Sequence, residues 1–340
     1  MRILVHFEPN RTTEFEGTRL RKTIKGALEL SEIEYTTALF DVFDVAHFMS
    51  PDDLLSTRYA IENATPVVTS ALYTEDDDAA RYLDTKLRRD GSHKITLRQK
   101  GLRLLNNSNV VMVPTQKCKE ALINFGVTSD IKVIPPSVNL ARFNFSRDDE
   151  KEIFYRYFGE DQSKKLVIAL GGLNPTKEGI NTFLACARNN PDALFYYIGS
   201  YKEEKLKKML RKYIKIAPKN VKFKGAMVDD LHRSALLNAD VVLLSGYTPA
   251  GVLSIYEAMA AKCQIIAREG TCPSDLLING KNAYIGKFSE TLVSLVNDYL
   301  NNQLQPTIEN AYAEVSKRDL ETFGKELVAI YKQQISLKKN

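Results

Sequence analysis

The sequence is poor in the residue types that mark several common protein classes. Its four histidines, His6, His47, His93 and His232, lie far apart and form neither an HxxxH nor an HExxH pair, so a histidine-built metal centre is not expected. Cys118, Cys186, Cys263 and Cys272 lack paired metal-ligand spacing, and the apolar segments around most of them predict structural thiols. No run approaches the roughly 20 apolar residues of a membrane-spanning helix. Residues 1–6 pass straight into a β-branched strand with no basic start, long apolar stretch or cleavage site, so a cytoplasmic protein is expected. No GxGxxG follows that first strand, and no Tyr-x-x-x-Lys stands in a catalytic setting, which argues against a sugar-nucleotide epimerase or dehydrogenase.

What is present points to two α/β domains. A chain of 340 residues exceeds one typical core, and halves of roughly 150 residues each are the default. Strand candidates recur at Met1–His6, Ile33–Thr37, Val42–His47, Pro66–Thr69 and Val110–Val113, then at Leu166–Leu170, Ala193–Gly199, Val221–Lys224, Val241–Leu244 and Cys263–Ala267. The segments between them are long enough for crossover helices, so parallel sheets are the economical reading. The charged stretch Arg147–Lys165 suits a hinge and linker helix between a first domain, 1–150, and a second, 164–312. Ala311–Ile335 has a helical pattern.

Two segments carry candidate chemistry. Leu166–Leu170 runs into Gly171-Gly172, and Ile180–Ala187 reads as a helix, so 171–179 is a glycine-bearing strand-to-helix loop. Such a loop receives phosphate on helix-start N–H groups, and Lys177 adds a full charge there. The second segment, 241–286, reads as strand, loop, helix, strand and turn, with Glu257 just inside the helix. That puts Glu257 near the carboxyl ends of parallel strands, the rim where open α/β sheets bind ligands. His47 ends a strand-like run and is a candidate for the same rim.

Net charge is +5 but unevenly spread. From Arg81 to Arg103 eight Lys or Arg stand against two Asp, with leucines interleaved, a composition suited to an anionic membrane surface. Lys202–Lys219 is also basic and reads as a solvated helix. Both runs carry leucines rather than aromatics and match no nucleic-acid module, so no nucleic-acid partner is expected.

The run Glu257-Ala258-Met259-Ala260 resembles the donor-binding signature of family-4 retaining glycosyltransferases of the GT-B fold, in which an acid, seven residues and a second acid precede Ala-Met-Ala. The stretches 27–37, 180–199 and 275–286 extend the likeness over nearly the whole chain, toward bacterial enzymes that add a second sugar to monoglycosyl-diacylglycerol. The resemblance implies two Rossmann-like domains with parallel sheets facing an interdomain cleft, and a C-terminal helix, 313–340, returning to the first domain. It implies a retaining, metal-independent hexosyltransferase with a UDP-sugar donor, no cofactor and a glycolipid or glycan acceptor, peripheral at the inner face of the cell membrane.

In residue terms it gives Glu257 to the ribose. Gly171, Gly172, Lys177, Gly251, Leu253 and Ser254 fall to the rest of the donor. Glu75 becomes a catalytic candidate in a loop where related glycolipid enzymes carry histidines and this chain has Ser70 and Leu72. The loss of those histidines is one of four departures. Pro249 occupies the first acid position. The Arg and Lys that grip the diphosphate in the family are Lys177 and Glu178 here, aligned on Gly179. These changes raise an alternative: a catalytically inactive glycosyltransferase-like subunit that supports an active homologue, or a glycan-binding module.

Overall fold

The computed structural model describes residues 1–6, 16–49, 54–63, 65–73, 80–81, 96–97, 99–143, 148–171, 176–199, 202–246 and 251–339. Two six-stranded sheets dominate it. The first uses β1 (Arg2–His6), β2 (Glu34–Thr36), β3 (Val45–Phe48), β4 (Val67–Ser70), β7 (Val110–Val113) and β8 (Asp130–Val133) in the order β2-β1-β3-β4-β7-β8. The two-residue strands β5 (Ala80–Arg81) and β6 (Thr96–Leu97) pair antiparallel outside it. The second uses β9 (Leu166–Gly171), β10 (Leu194–Gly199), β11 (Val221–Lys224), β12 (Val241–Leu244), β13 (Gln264–Arg268) and β14 (Tyr284–Gly286) in the order β11-β10-β9-β12-β13-β14. All neighbours within both six-stranded sheets are parallel.

Parallel strands need crossovers, and helices supply them. In the first half these are α1 (Glu16–Leu30), α2 (Leu54–Glu62), α3 (Gln99–Asn106) and α4 (Gln116–Asn124). In the second they are α6 (Lys177–Asn189), α7 (Glu203–Met209), α8 (Arg211–Ile214), α9 (Asp229–Asn238) and α10 (Val252–Ala260), while α5 (Asp148–Phe158) precedes the sheet and α11 (Ser289–Leu300), α12 (Ile308–Val315) and α13 (Leu320–Lys339) follow it. With helices on both faces the central strands are buried throughout: no residue of β3, β4, β7, β12 or β13 is exposed, and most are apolar. At the sheet edges β2, β8 and β11 are only partly buried.

Counted from β9, the second sheet runs 3-2-1-4-5-6, so its order reverses between β9 and β12. The carboxyl ends of those two strands define the place where a doubly wound sheet takes its ligand.

Helix α13 joins the halves, while α5 and α12 pack on the second. Helix α5 packs on α9, with Phe154 edge-on to Tyr196 of β10 at 4.9 Å, so the expected linker helix belongs to the second sheet's layer. The expected C-terminal helix is two helices. Here α12 lies against α10 while α13 lies along α1 and reaches β3. Gly324 permits that approach, because a Cβ there would fall 2.6 Å from the Ala27 carbonyl oxygen.

His47 corrects an expectation. It ends up fully buried inside the first sheet rather than at a ligand rim, with Nδ1 2.7 Å from the Tyr331 hydroxyl of α13 and Nε2 2.9 Å from Ser70 Oγ. Burial lowers its pKa to about 3, so the ring is neutral. Both nitrogens are engaged, and the residue braces α13 against β3 and β4.

Candidate functional site

Two loops leave the reversal point of the second sheet, one from β9 to α6 and one from β12 to α10, and they meet at two glycines. A Cβ on Gly179 would lie 2.6 Å from the Cα of Gly246, closer than any real side chain comes, so glycine is required for this backbone contact. Gly171 closes β9 in register with Gly199 of β10. The first turn of α6 is capped by Thr176, whose Oγ1 accepts from the Gly179 N–H at 3.1 Å. Lys177, the first residue of α6, is exposed and Glu178 is half-buried. Gly172 lies outside the described residues, as do Glu75 and Pro249.

Gly251 precedes α10 in extended conformation, and Val252 N donates to the Tyr73 carbonyl at 3.2 Å, stitching the start of α10 to the first sheet. All nine residues of α10 are buried. The Leu253 side chain is in the core. Ser254 and Glu257 stand one turn apart on α10, a spacing that puts both on one face of the helix.

That face meets the first half of the chain. Arg19 of α1 donates from Nε to Glu257 Oε1 at 2.9 Å and Oε2 at 3.1 Å, and from its terminal nitrogen to Ser254 Oγ at 2.9 Å. His232 of α9 brings Nε2 to 3.7 Å from Glu257 Oε2, beyond hydrogen-bond reach. Burial works to raise the Glu257 carboxyl, but the Arg19 guanidinium, aided by His232, outweighs it and brings the pKa to about 2. Burial lowers the His232 pKa, Arg19 adding to the effect against the pull of Glu257.

A second charge contact lies alongside. Asp229 of α9 accepts from Arg142 at 3.0 Å and from Lys22 of α1 at 3.4 Å. Burial would raise its carboxyl, and Arg142, with Lys22, holds it below the ordinary value.

The structure therefore gathers Gly171, Lys177, Gly251, Leu253, Ser254 and Glu257 around one reversal point and leaves His47 elsewhere. Arg19 and His232 were not legible as site residues. Arg19 sits 238 positions from its partner in a charged helix, and His232 has no local pattern around it. The basic segment 81–103 lies largely outside the described residues. Of its described part, Lys100 and Arg103 on α3 are exposed.

Among the described residues no helix is long and apolar enough to cross a membrane. The chain is similar to a processive diacylglycerol alpha-glucosyltransferase of Acholeplasma laidlawii, 23% identical over 93% of this chain and 92% of the relative. Anabaena HepE, solved with UDP-glucose, superposes with a TM-score of 0.73 at 17% identity over 98% of this chain and all of that one. Sucrose-phosphate synthase from Thermosynechococcus elongatus gives 0.65 at 15% identity over 87% of this chain and 74% of that one. Residues 150–318 match the family of glycosyl transferases group 1. With two parallel sheets arranged as in those structures, the chain has the GT-B fold, and its residues 150–318 form a domain of the glycosyl transferases group 1 family.

Proposed function

We propose that this chain transfers a hexose from a UDP-sugar to a hydroxyl of a membrane glycolipid or related glycan with retention of anomeric configuration. The observation that carries the reading is Glu257: a buried, ionised carboxylate on α10, the helix that follows the loop from β12, in a fold shared with a protein solved with UDP-glucose. An ionised carboxylate only accepts hydrogen bonds, and the paired hydroxyls of a ribose are donors that could take the place of the Arg19 nitrogens.

The diphosphate would lie over the starts of α6 and α10. There helix-end N–H groups and Lys177 favour negative charge. In the reaction the bond between the anomeric carbon and the diphosphate oxygen breaks, the electron pair leaves with UDP, and the acceptor oxygen bonds to the same face of the sugar while its proton passes to the departing phosphate oxygen. The protein's part is to hold the departing charge and exclude water as the halves close. Glu75 remains a candidate for contact with the acceptor. Segment 81–103 would dock the protein on an anionic leaflet, in keeping with the diacylglycerol substrate in the name of the Acholeplasma relative.

Two observations favour a second reading. Arg19 and His232 already surround Glu257, and proline stands at position 249, where it supplies neither a carboxylate nor a donor. A catalytically inactive partner subunit of an active homologue would tolerate both. The test is UDP-hexose titration by calorimetry, followed by UDP release with glycolipid vesicles. Binding with acceptor-dependent release supports the transferase; UDP binding with no turnover supports the partner subunit; no binding at all discards the donor site.

A further inference from the structure

Arg268 is the largest fully buried side chain of the described residues, 1% exposed at the carboxyl end of β13. Sheet packing gives no reason for it. The rest of the strand, Gln264-Ile265-Ile266-Ala267, is buried, and Arg268 pairs with Gly286 in a position an apolar side chain could fill. A guanidinium taken out of water is costly unless its donors are satisfied. Here they are. Nε donates to the Ser245 carbonyl at 2.8 Å and Nη1 to the Lys287 carbonyl at 3.1 Å. Nη2 donates to Thr182 Oγ1 at 2.7 Å and Ser289 Oγ at 3.0 Å, and those two hydroxyls are 2.7 Å apart.

The partners are what give this arrangement meaning. Ser245 is the residue before Gly246, which abuts Gly179. Thr182 lies one turn further along α6 than Gly179, and Ser289 opens α11. The rigid planar fork of one arginine thus fixes the loop after β12, the first turns of α6 and the start of α11 relative to one another. It does so directly behind the place where the two loops of the reversal point touch.

We propose that Arg268 is a positioning residue for a nucleoside diphosphate, setting the loop after β12 against the α6 N-terminus so that their N–H groups converge on the phosphates. Its charge, buried behind that surface, adds positive potential where the diphosphate would lie. The proposal rests on the donor-site reading above. It needs no contact between Arg268 and the ligand, and it limits the role to the phosphates.

The test compares UDP with uridine, which shares the base and ribose and has no phosphate. Wild type, Arg268→Lys and Arg268→Gln would be titrated with each by calorimetry or ligand-observed NMR, with melting curves for folding. Lys keeps the charge but cannot span all four acceptors, so UDP should weaken about tenfold, the factor expected for ~1.4 kcal/mol of lost alignment. Gln should weaken it further, and uridine affinity should hold within about twofold in both. Thr182→Val and Ser289→Ala, which leave the arginine in place, should shift UDP in the same direction by less and serve if the Arg268 variants do not fold. Folded variants that bind UDP as wild type does, or lose UDP and uridine by the same factor, overturn the proposal while the donor reading stands. Wild type that binds no UDP overturns both.

Discussion

Arg19 and Glu257 form a nearly symmetric ion pair between α1 and α10, one guanidinium nitrogen standing 2.9 and 3.1 Å from the two carboxylate oxygens. Both side chains are at least seven-eighths buried, at 12% and 9% exposure. The pair joins the two halves at the carboxylate a donor would use, so stability and ligand binding meet at one residue.

Removing one partner of such a pair strands the other in a poor solvent. Arg19→Ala should therefore cost about 3 kcal/mol or more of unfolding free energy. Glu257→Gln in the Arg19→Ala background should recover part of it, because the carboxamide carries no charge. Denaturant unfolding of the four proteins in the cycle measures this, and purely additive effects would mean that the pair is not coupled.

Donor binding should respond differently. Glu257→Ala removes the proposed ribose acceptor and is expected to weaken UDP by at least tenfold, roughly the value of a charge-assisted hydrogen bond. An alanine variant that binds UDP and transfers sugar as wild type does would end the assignment of Glu257.

The pH dependence has a fixed sign. His47 has a pKa of about 3 in the folded chain against 6.5 ordinarily, so between those values the unfolded chain binds the extra proton, and stability falls as pH drops from 6.5 toward 3. His232, whose pKa is also lowered, adds to the same slope. Glu257, at about 2 against 4.5, contributes stability that is present above 4.5 and is lost as pH falls toward 2. Urea midpoints at pH 7, 5.5 and 4.5 should fall in that order, and His47→Gln should flatten the series.

Gly179→Ala tests the contact between the loops. The new methyl meets the backbone of Gly246 at 2.6 Å, with no flexible side chain to yield. The two loops should separate, with about 1–3 kcal/mol lost in stability and weaker UDP binding. Calorimetry and a melting curve on the same sample check both.

Much of the fold was legible because parallel strands buried on both faces are written as uninterrupted apolar runs. Val110–Val113 and Val241–Leu244 appear in the structure with the boundaries expected of them. Short edge strands escaped for the converse reason. Strand β8 begins with exposed Asp130 and β14 has three residues, two of them only half-buried, so neither shows an apolar run. The break between α12 and α13 was missed because the helical pattern continues across it.

For the site, Glu257 and the glycine loops carry local signatures. Arg19 does not, since its meaning lies in a partner on another helix. Arg268 did leave a trace: a charged residue at the end of an otherwise apolar strand core is out of place unless something buried requires it.

The packing of α13 on α1 has a consequence for how the protein comes into being. The helix that covers α1, and supplies the Tyr331 hydroxyl to His47, is synthesised after the whole of the second sheet. A nascent first half therefore carries an uncovered apolar face on α1 and a buried imidazole short of one partner. Its maturation on the ribosome must wait for the other half, which makes the two sheets a single unit in biogenesis.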